Sequence, residues 1–417
     1  MPLIAGHFRL FDNPRADHAA GYDAEGRDEI LSLKSFADAQ REITAWPGYR
    51  PTPLLRLAGV QRAADVGAIF YKNEAERFGL GSFKALGGAY AVLRLLQQEI
   101  LRATGKVPSS AEIASGRHAA LVSPITVTCA TDGNHGRSVA WGARSFGCRC
   151  IIYVHQTVSD ARCRAIADYG AEIRRVSGTY DDAVRQAAGD AATAGWHVVS
   201  DTSYEGYKDV PRDVMQGYSL MVDEVLAQLP ASAGLTHVFV QGGVGGVAAA
   251  VCAYLWERCG TARPRLVVVE PETADCLYRS AVAGRPTPAE GTLETIMAGL
   301  ACGEVSLLAW QILDQGADAF MAIDDLAAAE TMRLLAEGRY DDRPVVAGES
   351  AVAGLAGLLL AARDKDARRC LALDRDSIVL VFGTEGATDP EAYRRIVGRS
   401  AQQVGAAPAP SLGRENA

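Results

Sequence analysis

The sequence predicts an α/β protein built on parallel sheet, and three observations carry that expectation. Short β-rich runs alternate with helical periodicity through the middle of the chain. Several of those runs are apolar throughout rather than alternating. Glycine-rich turns join strand-type runs to helix starts. Strand–helix alternation implies right-handed crossovers between parallel strands, and continuous apolar runs suit strands covered on both faces. At 417 residues the chain is long enough to bury a large core and to divide into two domains.

Taken in order, residues 1–50 are polar and weakly periodic and are expected to form an arm that wraps the body or meets a partner subunit. Residues 50–57 carry prolines at 51 and 53, which push the preceding positions away from helix, so this segment reads as extended. Residues 68–74 read as a short strand. Ser82 is placed to cap the next helix, whose apolar positions Phe83, Leu86, Tyr90, Leu93 and Ile100 recur at helical spacing until Gly105. Strands are then expected at 125–130, 150–154, 171–176 and 197–200, with helices at 135–146, 160–169, 181–194 and 214–228. Runs 236–240, 265–269 and 377–382 read as buried strands, and 405–411 as a low-complexity, mobile tail.

Composition narrows the function. The chain is 48% hydrophobic and 22% charged, and Lys+Arg 42 against Asp+Glu 50 gives a net charge of -8, which argues against a nucleic-acid-binding surface. No run approaches the roughly 18 apolar residues of a membrane span, and no basic segment precedes an apolar one at the start, so no secretory signal is expected. Nine cysteines without metal-type spacing point to a reducing cytoplasm. Cys276 and Cys302 both fall in the loop-rich region after Glu270 and are expected to be free thiols that lie near one another.

The chemistry concentrates at a few turns. Lys84 follows Phe83 beside a helix start; partial burial is expected to lower its pKa and expose a nucleophilic amine, suited to a Schiff base with an aldehyde cofactor. The run Gly242, Gly243, Val244, Gly245, Gly246 follows a strand and opens an alanine-rich helix, where bare backbone N–H groups suit a phosphate. The same run, with Ala248 and with Glu270 closing the next strand, also fits a dinucleotide fingerprint. Both readings stand at this point, the second implying an NAD(P)-dependent oxidoreductase. Thr131, Gly133, Asn134 and His135 form a second strand-to-helix turn able to hold a carboxylate, with Asp132 at its mouth. Asp201 sits just past a strand end, where ligands of parallel sheets gather. Thr384 offers a neutral hydroxyl after the last strand; set against a pyridine nitrogen, it would leave that nitrogen unprotonated and favour rapid loss of a β leaving group. Glu349 reads either as facing a cofactor ring or as a helix cap.

Together these residues resemble the fold-type II pyridoxal-phosphate enzymes, the tryptophan-synthase-β-like group. Within that group the chain looks like the diaminopropionate ammonia-lyases. The likeness runs from Gly48 to the region of Tyr393 and is most specific at 77–90, 131–137, 180–184, 215–218, 269–276 and 295–304. It implies two open, twisted, mostly parallel sheets with helices on both faces. Residues 1–92 and 222–417 would form a large cofactor-binding domain and 93–221 a small one. It implies pyridoxal phosphate on Lys84 beside Phe83, Asn134 at a cofactor oxygen, the phosphate on 242–246, Thr384 at the ring nitrogen, and Asp132 and Asp201 as catalytic acids. The implied reaction is α,β-elimination of 2,3-diaminopropionate, as D and L forms, to pyruvate and two ammonia, in amino-acid breakdown by a cytoplasmic homodimer. A serine or threonine dehydratase, or a lyase for another β-substituted amino acid, is the neighbouring alternative; those dehydratases usually carry a small residue where Asp132 stands. The sequence departs from the family at Tyr204, where tryptophan is common, and at Gly242 and Gly246, where alanine is common.

Overall fold

A computed structural model describes residues 3–406. The strands, in chain order, are β1 Phe8–Asp12, β2 Leu54–Arg56, β3 Ala68–Asn73, β4 Thr126–Ala130, β5 Arg149–His155, β6 Glu172–Val176, β7 His197–Val198, β8 His237–Gln241, β9 Arg265–Pro271, β10 Ala319–Ile323 and β11 Ile378–Gly383. They form two sheets. The larger has the order β1-β10-β9-β8-β11-β3-β2 and the smaller β6-β5-β4-β7. Every pairing in the smaller sheet is parallel, as are the central pairings of the larger; only the edge strands β1 and β2 run antiparallel to their neighbours. The expected mostly parallel α/β architecture is therefore the observed one.

The central strands read as continuous apolar runs because helices cover both of their faces. β8 and β10 are buried at every residue, and so is the Ala353–Ala361 helix beneath them. The Ala85–Thr104 helix packs against both the Asn134–Phe146 and the Asp209–Gln228 helices, joining the layers of the two sheets.

Four points go beyond or against expectation. The arm does lie on the body, and residues 8–12 do so as an edge strand, in register with β10 from Phe8 opposite Ile323 to Asp12 opposite Ala319. β10 is not expected from the sequence, because a five-residue buried run such as Ala-Phe-Met-Ala-Ile has no distinguishing period. Ser82 does not cap the helix. It forms a β-bridge with Glu385, and the helix starts at Ala85 without a side-chain cap. Bonds from Phe83 N–H to the Thr384 carbonyl (3.0 Å) and from Gly386 N–H to the Gly81 carbonyl (2.9 Å) hold residues 81–83 against the end of β11. The fourth helix of the alternating region starts at Asp209, earlier than expected, and runs to Gln228. Of the expected tail, residues from 407 onward lie outside the described residues.

Candidate active site

The carboxyl ends of β8 and β11 in the larger sheet and of β4, β5 and β7 in the smaller one supply the site, as expected for ligands of open parallel sheets. The β-bridge after β11 delivers Lys84 to this region. Its Nζ lies 2.6 Å from Asp201 Oδ2, just beyond β7. Burial pulls the Lys84 ammonium down, but the Asp201 carboxylate together with the Tyr218 hydroxyl outweighs it and the pKa is raised overall. The expectation of a lysine rendered neutral by burial alone is corrected on this ground. Burial likewise pushes Asp201 up, yet Lys84 and then His135 hold its carboxyl well below the usual range. The two form a partly buried ion pair. Across from it, the Lys84 ammonium lies 5.4 Å from the ring centre of Phe83 and 5.8 Å from that of Tyr218.

His135 belongs to the same cluster. Its Nε2 meets the Val199 carbonyl at 2.7 Å and its Nδ1 is 3.8 Å from Asp201 Oδ2. Burial first, opposed by Asp201 and reinforced by Lys84, keeps its pKa below the ordinary value, so the ring is neutral near pH 7. A neutral ring bonded to a carbonyl through Nε2 carries its proton there, which leaves Nδ1 as an unpartnered buried acceptor.

The Thr131–His135 turn follows β4. The Thr131 hydroxyl oxygen accepts from the N–H groups of Gly133 (3.0 Å) and Gly136 (3.1 Å), so the Gly133 N–H is already engaged. The N–H groups of Asn134 and His135 lie in the first turn of a helix and have no intrahelical acceptor. The Asn134 amide donates to Glu385, whose other oxygen accepts from the Ser350 N–H at 3.1 Å. Glu385 thereby joins the turn of the smaller sheet to the end of β11 in the larger. Asp132 Oδ1 lies 2.6 Å from His155 Nε2. β4 and β7 are paired parallel neighbours, with Thr128 opposite Val198, so Asp132 and Asp201 follow adjacent strand ends at the same edge of the smaller sheet.

The glycine run lies at the end of β8. Gly243 and Gly245 take φ of 62° and 97°, a backbone that L side chains rarely adopt. A Cβ on Gly246 would lie 3.9 Å from the Asp201 carbonyl, which sets the loop beside the acid that pairs with Lys84. The Gly246–Cys259 helix starts here, so its first-turn N–H groups point into the same region. The Gln241 amide donates to the Ala351 and Phe382 carbonyls at 2.5 and 2.7 Å, locking the loop to β11, beyond which Thr384 is buried. Glu270 is fully buried beneath the loop, and its oxygens accept from the N–H groups of Leu277 (3.1 Å) and Tyr278 (2.7 Å). A carboxyl enclosed in this way has no face for a ribose, so the dinucleotide reading loses its acid.

Glu349 caps no helix. It pairs with Arg162 at 2.9 Å, and its second oxygen is buried without a partner. Burial, then the neighbouring Glu385, pushes its carboxyl up to about 7. Arg162 also donates to the Asp132 carbonyl at 3.2 Å. Cys276 and Cys302 are free, with Cys276 buried against the Gly243 carbonyl and Glu270. Sequence reasoning did not single out His155, Arg162 or a role for Glu385. The position of His155 at the carboxyl end of a parallel strand was the available signal; Arg162, on a helix flank, gave none.

These residues fit pyridoxal phosphate: an amine beside a carboxylate, a left-handed glycine cradle at a helix start, and an unpartnered imidazole nitrogen in the cluster. They define a pyridoxal-phosphate enzyme, and the family described as pyridoxal-phosphate dependent enzyme matches residues 45–383. The diaminopropionate ammonia-lyase of Escherichia coli strain K12 is 41% identical over 357 residues, which are 84% of this chain and 88% of that protein. That of Salmonella typhimurium is 40% identical over 400 residues, 90% of this chain and 96% of that one. The crystal structure of the Escherichia coli diaminopropionate ammonia-lyase in complex with D-serine superposes with a TM-score of 0.86 at 35% identity, covering 94% of this chain and 97% of that one. The chain belongs to the pyridoxal-phosphate dependent enzymes and, within them, to the family of the diaminopropionate ammonia-lyases.

Proposed function

We propose that the protein catalyses α,β-elimination of 2,3-diaminopropionate, from both enantiomers, to pyruvate and two ammonia. The observation that carries this is a pair of carboxylates at adjacent strand ends, Asp132 beyond β4 and Asp201 beyond β7, with Lys84 Nζ 2.6 Å from the second. When bound, pyridoxal phosphate supplies the electron sink that accepts the pair left when the Cα proton departs. Lys84 Nζ is the group to carry it, and Asp201 Oδ2, at 2.6 Å, is placed to take the proton that the ammonium must lose first. Residues Gly242, Gly243, Val244, Gly245 and Gly246 would hold the phosphate, Thr384 would offer its hydroxyl to the ring nitrogen and Asn134 its amide to an oxygen of the cofactor, with Phe83 and Glu349 beside the ring.

The substrate carboxylate is held by the free N–H groups of Asn134 and His135 and by the Thr131 hydroxyl. That oxygen accepts from two backbone N–H groups, which leaves its own proton to donate. Gly133 is left out of this contact because its N–H is spent. Asp132 takes the Cα proton from one enantiomer and Asp201 from its mirror image, a general-base contribution of roughly 10² to 10⁴ each. Asp132 also offers a negative charge to the β-ammonium. The β-amine leaves as ammonia, and hydrolysis of the released enamine gives pyruvate and the second ammonia.

The same reading includes a cytoplasmic homodimer and a division into a large body, 1–92 with 222–417, and a small one, 93–221. All strands of the smaller sheet fall between residues 126 and 198, which supports that division. Among the described residues no helix is long and apolar enough to cross a membrane. The test is release of 2-oxo acid, pyruvate from D- and L-diaminopropionate and from D- and L-serine and 2-oxobutyrate from L-threonine, with all five substrates assayed side by side. Faster turnover of diaminopropionate is the expected result. Preference for L-threonine or L-serine would make the chain a hydroxy-amino-acid dehydratase instead.

A further inference from the structure

His155 is the last residue of β5, and the turn carrying Asp132 follows the neighbouring strand β4. The register of these parallel strands, with Ala130 opposite Tyr153, sets the two side chains side by side at the sheet's carboxyl edge. His155 Nε2 lies 2.6 Å from Asp132 Oδ1. On the far side of the ring, Thr157 Oγ1 lies 2.9 Å from Nδ1. A hydroxyl can donate to a bare Nδ1, and an ionised carboxylate accepts but never donates. Both contacts are satisfied together when the ring is neutral, Thr157 donates to Nδ1, and Nε2–H donates to Asp132. Asp132 Oδ2 receives no side-chain hydrogen bond among the described residues and is left for other work.

We propose that His155, with its tautomer set by Thr157, is a positioning residue for Asp132: it fixes one carboxylate oxygen so that the other faces the substrate. The arrangement repeats, at a carboxylate base, the way an outer hydrogen bond orients a reacting group. It rests on the reading of Asp132 as the base for one enantiomer. It extends that reading with a residue that touches neither substrate nor cofactor, and Asp201, paired with Lys84 elsewhere in the site, is independent of it.

The test uses His155→Phe, His155→Gln, Thr157→Val and Asp132→Asn in the cofactor-loaded enzyme, each assayed with both enantiomers of diaminopropionate. His155→Phe is expected to lower kcat roughly tenfold to a hundredfold for the enantiomer that Asp132→Asn impairs. KM should hold, and the mirror image, which reports folding and cofactor loading, should be spared. His155→Gln, which retains an N–H donor, is expected to recover most of that loss, and Thr157→Val to show a smaller loss of the same selectivity. In the cofactor-free protein, ¹⁵N shifts of the His155 ring, assigned by the signal missing in His155→Gln, are expected to show a protonated Nε2 and a bare Nδ1. Equal loss for both enantiomers in His155→Phe, no loss in either, or a proton on Nδ1 would overturn the assignment of His155 while leaving Asp132 as a base. An unselective Asp132→Asn would remove the base reading itself and the inference with it.

Discussion

Gly242 and Gly246 both stand where the family commonly carries alanine, yet the structure assigns them opposite tolerances. A Cβ on Gly242 would lie 2.5 Å from Glu270 Cγ and 3.1 Å from Leu277 Cδ1. Carbon atoms pack best at about 3.5 to 4.0 Å, so the overlap approaches ~1 Å. Glu270 cannot swing aside without losing its bonds from Leu277 and Tyr278, because it is fully buried. The loop itself must move instead. Overpacking of this kind costs about 1–3 kcal/mol. If the loop is the phosphate cradle, Gly242→Ala should weaken cofactor binding by roughly 5-fold to 150-fold. A Cβ on Gly246 meets only Met215 Cγ at 3.6 Å and the Asp201 carbonyl at 3.9 Å, both ordinary contacts. Gly246→Ala, at a helix start, should leave binding within about twofold and stabilise the cofactor-free protein by a few tenths of a kcal/mol up to about 1 kcal/mol. The assay is titration of pyridoxal phosphate into the cofactor-free variants, followed by absorbance, with thermal unfolding alongside. Equal losses in the two variants, or no loss in Gly242→Ala, would refute the steric reasoning.

In enzyme already loaded with cofactor, where Lys84 has lost its proton, Asp132→Asn and Asp201→Asn are expected to impair opposite enantiomers of diaminopropionate, each by roughly 10² or more; assays with the separate enantiomers check this, and equal losses for both would contradict it. Arg162→Ala removes the charge that lowers the Glu349 carboxyl, so that carboxyl should rise further above about 7 and take up a proton near neutral pH instead of remaining a bare buried charge; a fall in the unfolding midpoint that grows as pH rises above 7 is the outcome to measure. Burial holds the Glu270 carboxyl at about 8, against about 4.5 for a glutamate in water. Between those values the folded chain binds more protons than the unfolded one, so the contribution of Glu270 to stability is full at acid pH and is lost as pH climbs toward 8. Glu349, raised to about 7, adds a change of the same sign. Between pH 6.5 and 8, above the range where the depressed histidines His135 and His237 act in the opposite sense, the unfolding midpoint should fall, and Glu270→Gln should flatten that fall. A midpoint that rises over this interval in the parent would contradict the assignment.

Much of this molecule was legible in its sequence because the relevant signals are local. The alternation of β4, β5 and β6 with helices is written in periodicity, and the glycine run declares itself by composition. Edge strand β1 was not legible, since its partner β10 lies more than three hundred residues away, and β10 was not because a five-residue buried run carries no period. Lys84 was found from its motif, but its charge was not: burial alone predicts a depressed pKa, and only the fold brings Asp201 to within 2.6 Å. The rival reading of Glu270 also had to wait for the fold, because the helix start that encloses its carboxyl lies several residues further along the chain. His155 and Glu385 act through neighbours distant in sequence, and no local pattern marks such pairs.

The central claim is that the Lys84 amine carries pyridoxal phosphate. Borohydride reduction of the cofactor-loaded protein, followed by proteolysis and peptide mass mapping, tests it directly. A single phosphopyridoxyl group on the peptide containing Lys84, absent from Lys84→Ala, is the predicted result. The same group on another lysine, or no reducible cofactor at all, would contradict the account.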